Sequence, residues 1–190
     1  MADPDDLKAV ILASPLIAPL LARWSDLQLP DGWLAAGALA QTVWNARFAL
    51  PANHGITDID IVYLDIDDLS ETAESAHAAR IRAAFNDLPV HLDIKNEARV
   101  HLWYEAKFGY AIAPYRSIED AVSTFPTTAT AIALRPRPNG FDLCAPYGID
   151  DLMNATVRPN KKQITSDVYA TKIARWTALW PQLRIIDWDE

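Results

Sequence analysis

Gly55-Ile56-Thr57-Asp58-Ile59-Asp60-Ile61-Val62-Tyr63-Leu64 is the stretch on which the fold turns. From Ile56 onward the apolar residues alternate, and alternation at period two predicts a strand over residues 56–64. Asp58 and Asp60 then share one face, while Ile59, Ile61 and Tyr63 share the other. Asp is depleted in strands, so two on one face call for a physical reason. Left alone, carboxylates one pleat apart repel each other. A hard divalent cation such as Mg²⁺, which takes oxygen ligands, removes that repulsion.

The same pattern returns downstream. Val90 to Ile94 reads as a second strand, with Val90, Leu92 and Ile94 facing one way and His91 and Asp93 the other. If the two strands are neighbours, Asp93 joins Asp58 and Asp60, and three carboxylates at one sheet end equip a site for two-metal phosphoryl chemistry. Solvated aspartates on an open sheet face are the plainer account. The repeat of the facing in a second strand weighs against it. Neither Asp58 nor Asp65 opens a calcium loop, since the glycine at position six and the glutamate at position twelve are missing. Asp65-Ile66-Asp67 resembles the metal motif of sugar-nucleotide glycosyltransferases. Those enzymes need a nucleotide-binding βαβ half upstream, and the residues before Asp65 begin with a helical stretch, so Asp65, Asp67 and Asp68 read as a strand end and a helix cap.

Working outward, residues 4–26 read as two short helices broken at Ser14-Pro15, a cap followed by a first-turn proline. Trp33 to Gly37 reads as a short buried strand, residues 38–47 as a helix and residues 48–55 as a loop. Asp68 with Glu71 matches a capping box before an Ala-rich helix reaching Phe85. Residues 96–104 read as helical, and Ser117 with Asp120 starts another short helix. Thr128–Arg135 and Phe141–Ala145 flank Pro138-Asn139-Gly140 as a hairpin. Thr165 or Ser166 caps a last long helix ending before Pro181, with Trp176 and Trp180 on one packed face. The threonines 127, 128 and 130 suit strand propensity, Cys144 a structural position, and His91 an open strand face.

The expected class is α+β, a mixed sheet with helices on one face and flanking N- and C-terminal helices. One domain is expected over residues 1–190, with a helical segment at 1–28, a core at 29–145 and a C-terminal helical segment at 146–190.

Charge narrows the function classes. The chain of 190 residues carries a formal net charge of −8, which argues against a general nucleic-acid binder. A single cysteine, Cys144, excludes an intrachain disulfide and a Cys-rich zinc site. Acids at the N-terminus and prolines 15 and 19 inside the apolar stretch 9–21 argue against a signal peptide or membrane span, so a cytoplasmic protein is expected. Acids and bases are segregated. Residues 56–76 hold seven acids and no Lys or Arg, whereas 158–175 hold Arg158, Lys161, Lys162, Lys172 and Arg175 against Asp167 alone. That asymmetry suits a metal–nucleotide, and it equally suits a solvated helix face paired to the acidic half.

Gly37 stands where a strand meets a helix, and a helix N-terminus with a close-approaching backbone suits phosphate. Strand, glycine, helix, loop, Asp-x-Asp strand and a third Asp on a later strand: this order resembles the polymerase-β-like nucleotidyltransferase superfamily. More closely, the chain is similar to a small bacterial group known only as nucleotidyltransferase family proteins. The resemblance is carried by Ala36-Gly37-Ala38 through Asn45, Gly55 through Asp60, Asp93 through His101, Phe125 through Thr130, Ala145-Pro146-Tyr147-Gly148, Arg158-Pro159-Asn160, and Tyr169, Lys172, Arg175 and Trp176. It implies the polymerase-β-like fold and transfer of a nucleoside monophosphate from a nucleoside triphosphate to a hydroxyl acceptor, which could be a metabolite, a protein or an RNA end. It implies Mg²⁺ or Mn²⁺ on Asp58, Asp60 and Asp93, with Asp93 also receiving the acceptor's proton. Gly37 and Ala38 would face the phosphates, and the basic residues Arg158, Lys161, Lys162, Lys172 and Arg175 would lie near the triphosphate or acceptor. The superfamily has Gly-Ser where this chain has Gly37-Ala38, a loss of roughly 1 kcal/mol if one hydroxyl hydrogen bond is missing. A different class of function, a catalytically weak module of this fold that binds a nucleotide or partner, is the alternative.

Overall fold

The computed structural model describes residues 2–138 and 140–190. It opens with α1 (Pro4–Ala13), whose N-cap Asp3 accepts from the Asp5 N–H, and α2 (Ala18–Ala22). Ser14 sits in the break, where its Oγ accepts from the Ile17 N–H at 3.3 Å. A 3₁₀ turn over Trp24–Leu27 leads to β1 (Trp33–Ala35) and α3 (Gly37–Arg47). Then come β2 (Asp58–Tyr63), α4 (Glu71–Ala84), β3 (His91–Asn96), a single 3₁₀ turn and α5 (Val100–Phe108). The chain continues through α6 (Ile118–Val122), β4 (Ala133–Arg137), β5 (Gly140–Cys144), α7 (Asp150–Met153), β6 (Thr156–Val157), α8 (Ser166–Leu179) and β7 (Arg184–Ile185).

The main sheet runs β3-β2-β1-β4-β5. Its β2–β3 pair is parallel and the other pairs are antiparallel, so the fold is α+β with a mixed sheet, as expected. A parallel pair needs a crossover, and α4 supplies it. The alternation in β2 and β3 sorts the faces. Ile59, Ile61, Tyr63, Leu92 and Ile94 enter one large core with side chains of α1, α3, α4 and α8. Trp44, Trp176 and Trp180 meet edge to face there, with ring centroids 5.5 Å apart in both Trp44 pairs. The opposite face is partly roofed. Val62, Ala35 and Ala133 pack against Ile118 and Val122 of α6, and α5 brings Val100 and Tyr104 beside Tyr115 and Ala121.

Three local expectations are corrected. Asp68 does not cap α4; Ser70 does, accepting from the Ala73 N–H, while Asp68 caps the turn before it by accepting from the Ser70 N–H. Both residues carry cap chemistry, and the helix starts at the one followed by continuous helical backbone. The strand expected from Thr128 begins only at Ala133, because the threonines hydrogen-bond locally: Thr127 Oγ1 to Thr130 Oγ1 at 2.8 Å, and the Thr127 carbonyl accepts from the Ala131 N–H. The helix expected over 96–104 is shifted, since Asn96 closes β3 and the α-helix runs from Val100 to Phe108. The β4–β5 hairpin forms as expected; Asn139 in its turn lies outside the described residues.

Candidate active site

Register does the first work. In the parallel pair, Asp60 stands opposite Asp93, and Asp58 opposite His91. On the other side of β2, Asp60 stands opposite Ala35. The end of β1, where the chain turns into α3, therefore lies beside Asp60. That turn is strained: Ala36 has φ 57° and ψ −119°, a region that costs a non-glycine residue about 1–3 kcal/mol. The Ala36 N–H is tied to the Ile132 carbonyl at 2.9 Å, and α3 starts at once with Gly37, so its first N–H groups have no side-chain cap.

The aspartates differ in their surroundings. Asp58 is exposed and accepts from Thr57 Oγ1 at 2.6 Å. Asp93 is held by Lys95 Nζ at 2.7 Å, with Arg82 at 3.8 Å. Asp60 is half-buried, and burial pushes its carboxyl up to about 6; Lys95 and Lys172 oppose the rise, and the charges of Asp58 and Asp93 add to it. Among the described residues, no three His, Cys, Asp or Glu side chains are gathered to hold one ion in this arrangement. Asp93 spends its carboxylate on Lys95 instead. The donor types nevertheless fit a hard divalent cation: three carboxylates on one face, with Asp60 feeling the repulsion of the other two, are what such a cation relieves.

A cavity of about 270 Å³ opens beside Asp60. Ala36, Lys95, Glu97 and Lys172 line it together with Asp60, and Trp103, Tyr104, Phe108, Tyr115 and Phe125 form its aromatic walls. Lys172 is held below the usual lysine range by burial, helped by Arg175 and opposed by Asp60 and Asp58. Glu97 is 6% exposed, and burial pushes its carboxyl up to about 8, against Lys95 and with Asp60 and Glu74.

A buried clamp sets where Lys95 and Glu97 go. The Asn96 N–H donates to Glu74 Oε2 at 2.7 Å, and Arg99 pairs with the other oxygen of the same carboxylate. Arg99 Nε also donates to the Leu69 carbonyl at 2.8 Å. The Asn96 side chain accepts from the N–H groups of Asp65 and Ala98 and donates to the Asp65 carbonyl. The ends of β2 and β3 are thereby locked to α4, and the chain turns so that residue 97 enters the cavity.

Of the basic residues read from sequence, only Lys172 reaches the cavity. Arg158 is bound to Asp151 at 3.1 Å, Lys162 donates to Ser123 Oγ at 2.5 Å, and Lys161 lies 5.5 Å from the centre of the Trp188 ring. Arg175 is exposed and acts on Lys172 through its charge. Gly37 is half-buried at the turn. Ala38 puts its methyl group in the core, leaving only its N–H for a ligand. Lys95 and Glu97 were not singled out from sequence, although 93, 95 and 97 continue the same period-two facing. The aromatic walls carry no sequence signal, since they come from separate segments.

A family profile described as nucleotidyltransferase matches residues 22–185. Among solved structures, one whose NMR structure is described as revealing a CCA-adding enzyme head domain superposes with a TM-score of 0.79 at 27% identity. That match covers 97% of this chain and 96% of the other. An apo form of a CCA-adding enzyme superposes with a TM-score of 0.47 at 17% identity, over 98% of this chain and 42% of that one. No curated protein matches the chain. Among the described residues, no helix is long and apolar enough to cross a membrane.

Proposed function

The chain belongs to the nucleotidyltransferase family, and from that premise we propose that it transfers a nucleoside monophosphate from a nucleoside triphosphate to an acceptor hydroxyl. The observation that carries the reading is the register of Asp60 against Asp93 and Ala35, beside a cavity that also holds Lys172. Asp58, Asp60 and Asp93 would hold Mg²⁺ or Mn²⁺, which when bound makes the attacking hydroxyl more acidic and stabilises charge on the leaving pyrophosphate. The free N–H groups of Gly37 and Ala38 at the start of α3 donate to phosphate oxygens, where the helix dipole favours negative charge. Lys172 offsets further phosphate charge at the cavity mouth. Lys95 holds the Asp93 carboxylate in place until the substrate arrives. The acceptor oxygen bonds to the α-phosphorus, the α–β phosphoanhydride bond breaks with its electron pair leaving on pyrophosphate, and the hydroxyl proton passes to an Asp93 carboxylate oxygen.

The test uses each α-labelled triphosphate with Mg²⁺ and a cell extract split into RNA, protein and metabolite pools. Label enters one pool with the wild type and is lost with Asp93→Asn. A second reading, a catalytically weak nucleotide-binding module, is favoured by two observations: Asp93 is already paired with Lys95, and Ala38 replaces the usual serine. Measurable nucleotide binding without label in any pool selects that reading over the enzyme.

A further inference from the structure

The two edges of the main sheet are treated differently. An edge strand presents a row of unpaired N–H and C=O groups, which charges or a covering element blunt. At the β3 edge, α4 supplies the cover: Arg82 Nε donates to the Leu92 carbonyl at 2.7 Å, and Glu74 Oε2 accepts the Asn96 N–H at 2.7 Å. Asp93 and Lys95 add charge along the same strand. At the β5 edge, among the described residues, no side chain or backbone group outside the β4 ladder bonds residues 140–144.

Register shows which groups of β5 are free. In an antiparallel strand the N–H and C=O of one residue point to the same side, and successive residues alternate. The Ile132 carbonyl accepts from the Ala36 N–H, so Ile132 faces β1, and Ala133, Arg135 and Arg137 face β5. Pro136, which has no N–H, stands at a position that makes no bond to β5. The bonded residues of β5 are therefore Cys144, Asp142 and Gly140, and Phe141 and Leu143 turn their N–H and C=O groups away from the sheet. Leu143 is 39% exposed, with a cavity of about 240 Å³ against Leu7 and Leu134 and another of about 280 Å³ against Trp33 and Ile118. Leu12 of α1 is 48% exposed and lines a further cavity with Phe141. No element of the described chain covers this side.

We propose that the β5 edge pairs with the same edge of a second copy of this chain, antiparallel and two-fold symmetric about Asp142. The strand is self-complementary in that register. Phe141 of each copy meets Leu143 of the other, and the outward N–H and C=O groups of both residues are all bonded at once. Phe141 and Leu143 share one face of the strand, on the side of α1, so the same contact covers apolar surface of β5 and of Leu12. On the other face Asp142 meets the other copy's Asp142. Like charges directly opposite repel. Here each carboxylate is already answered by two guanidinium groups, Arg135 Nε at 2.8 Å and Arg137 Nε at 2.7 Å. An isologous contact of this kind closes on itself as a dimer and leaves no further edge to extend.

Sedimentation velocity of the full chain from low to high micromolar concentration reads the oligomeric state. The wild type is expected to pass from monomer to dimer. Leu143→Pro removes an outward N–H and leaves the β4 ladder intact, which edge strands tolerate. By symmetry it deletes two bonds, so dimerisation weakens about ten-fold or more. Leu143→Lys, at the same exposed site, weakens it likewise. Leu102→Lys changes another exposed leucine, on α5, and leaves it unaltered. Asp142→Cys in a Cys144→Ser background reads the register. Residues opposite each other without bonds have Cα atoms about 4.5 Å apart, within disulfide reach, so mild oxidation links the two copies. A wild type that stays monomeric throughout, as it does if a strand of another protein fills the edge, overturns the proposal. So does a dimer untouched by both Leu143 variants, a dimer lost in Leu102→Lys, or an Asp142→Cys variant that stays unlinked. The wild-type measurement and the exposed Leu143→Lys carry the test if Leu143→Pro folds poorly.

Discussion

Gly55→Ala tests how the strand carrying Asp58 and Asp60 is anchored. Gly55 has φ +69°, and a Cβ there would lie 2.4 Å from Cη2 and 2.6 Å from Cζ2 of Trp180, with Leu179 Cδ1 at 3.3 Å. Left-handed backbone costs a residue with a side chain about 1–2 kcal/mol. The overlap adds a cost of the overpacking kind, about 1–3 kcal/mol. The ring has little freedom to move away. It is fully buried, edge to face with Trp44 and with His54 at 5.5 Å each, and its Nε1 donates to Asn45 Oδ1 at 2.7 Å. Asn45 in turn donates to the His54 carbonyl at 2.9 Å, so the clash falls on the same loop that delivers β2. The two terms together predict a loss of about 2–5 kcal/mol, or roughly 4–20 °C in melting temperature for a chain of this size. Urea unfolding followed by tryptophan fluorescence measures it. A loss below about 0.5 kcal/mol, the range of surface substitutions, would mean that Trp180 and the loop yield freely and that the anchoring argument is wrong.

Two further outcomes are expected. Arg99→Met leaves Glu74 partly buried without its partner and should cost about 3 kcal/mol, measured by denaturant unfolding; nucleotide transfer should fall as well, because the clamp that directs Lys95 and Glu97 is opened. Glu97 is pushed above its ordinary value of 4.5 to about 8, so the folded protein keeps a proton that the unfolded chain has released. Its contribution to stability is full below pH 4.5 and lost as the pH rises through about 8. Glu97→Gln should therefore flatten the fall in melting temperature over that window, and an unchanged pH profile would count against a buried, unpartnered carboxyl.

Alternation in residues 56–64 and 90–94 was enough to place Asp58, Asp60 and Asp93 on one face, because strand period is a property of the local backbone. The helix face of Trp176 and Trp180, the cap at Ser14 and the glycine turn before α3 were legible for the same reason: each depends on residues within one or two turns. Cap and strand boundaries were less so, since Ser70 and Asp68 carry the same chemistry and the threonines after Pro126 bond to one another. Which bases reach the site was beyond sequence. Arg158, Lys161 and Lys162 sit in the same basic stretch as Lys172, yet Asp151, Trp188 and Ser123 hold them elsewhere. The cavity is wholly tertiary. Its walls come from α5, the segment around Tyr115, the loop at Phe125 and α8, which meet Asp60 only because β2 and β3 pair in parallel and the clamp of Asn96, Arg99 and Glu74 turns the chain inward. Local periodicity decides which way a side chain faces; what it faces depends on contacts between segments distant in the chain, and those exist only once the sheet has closed.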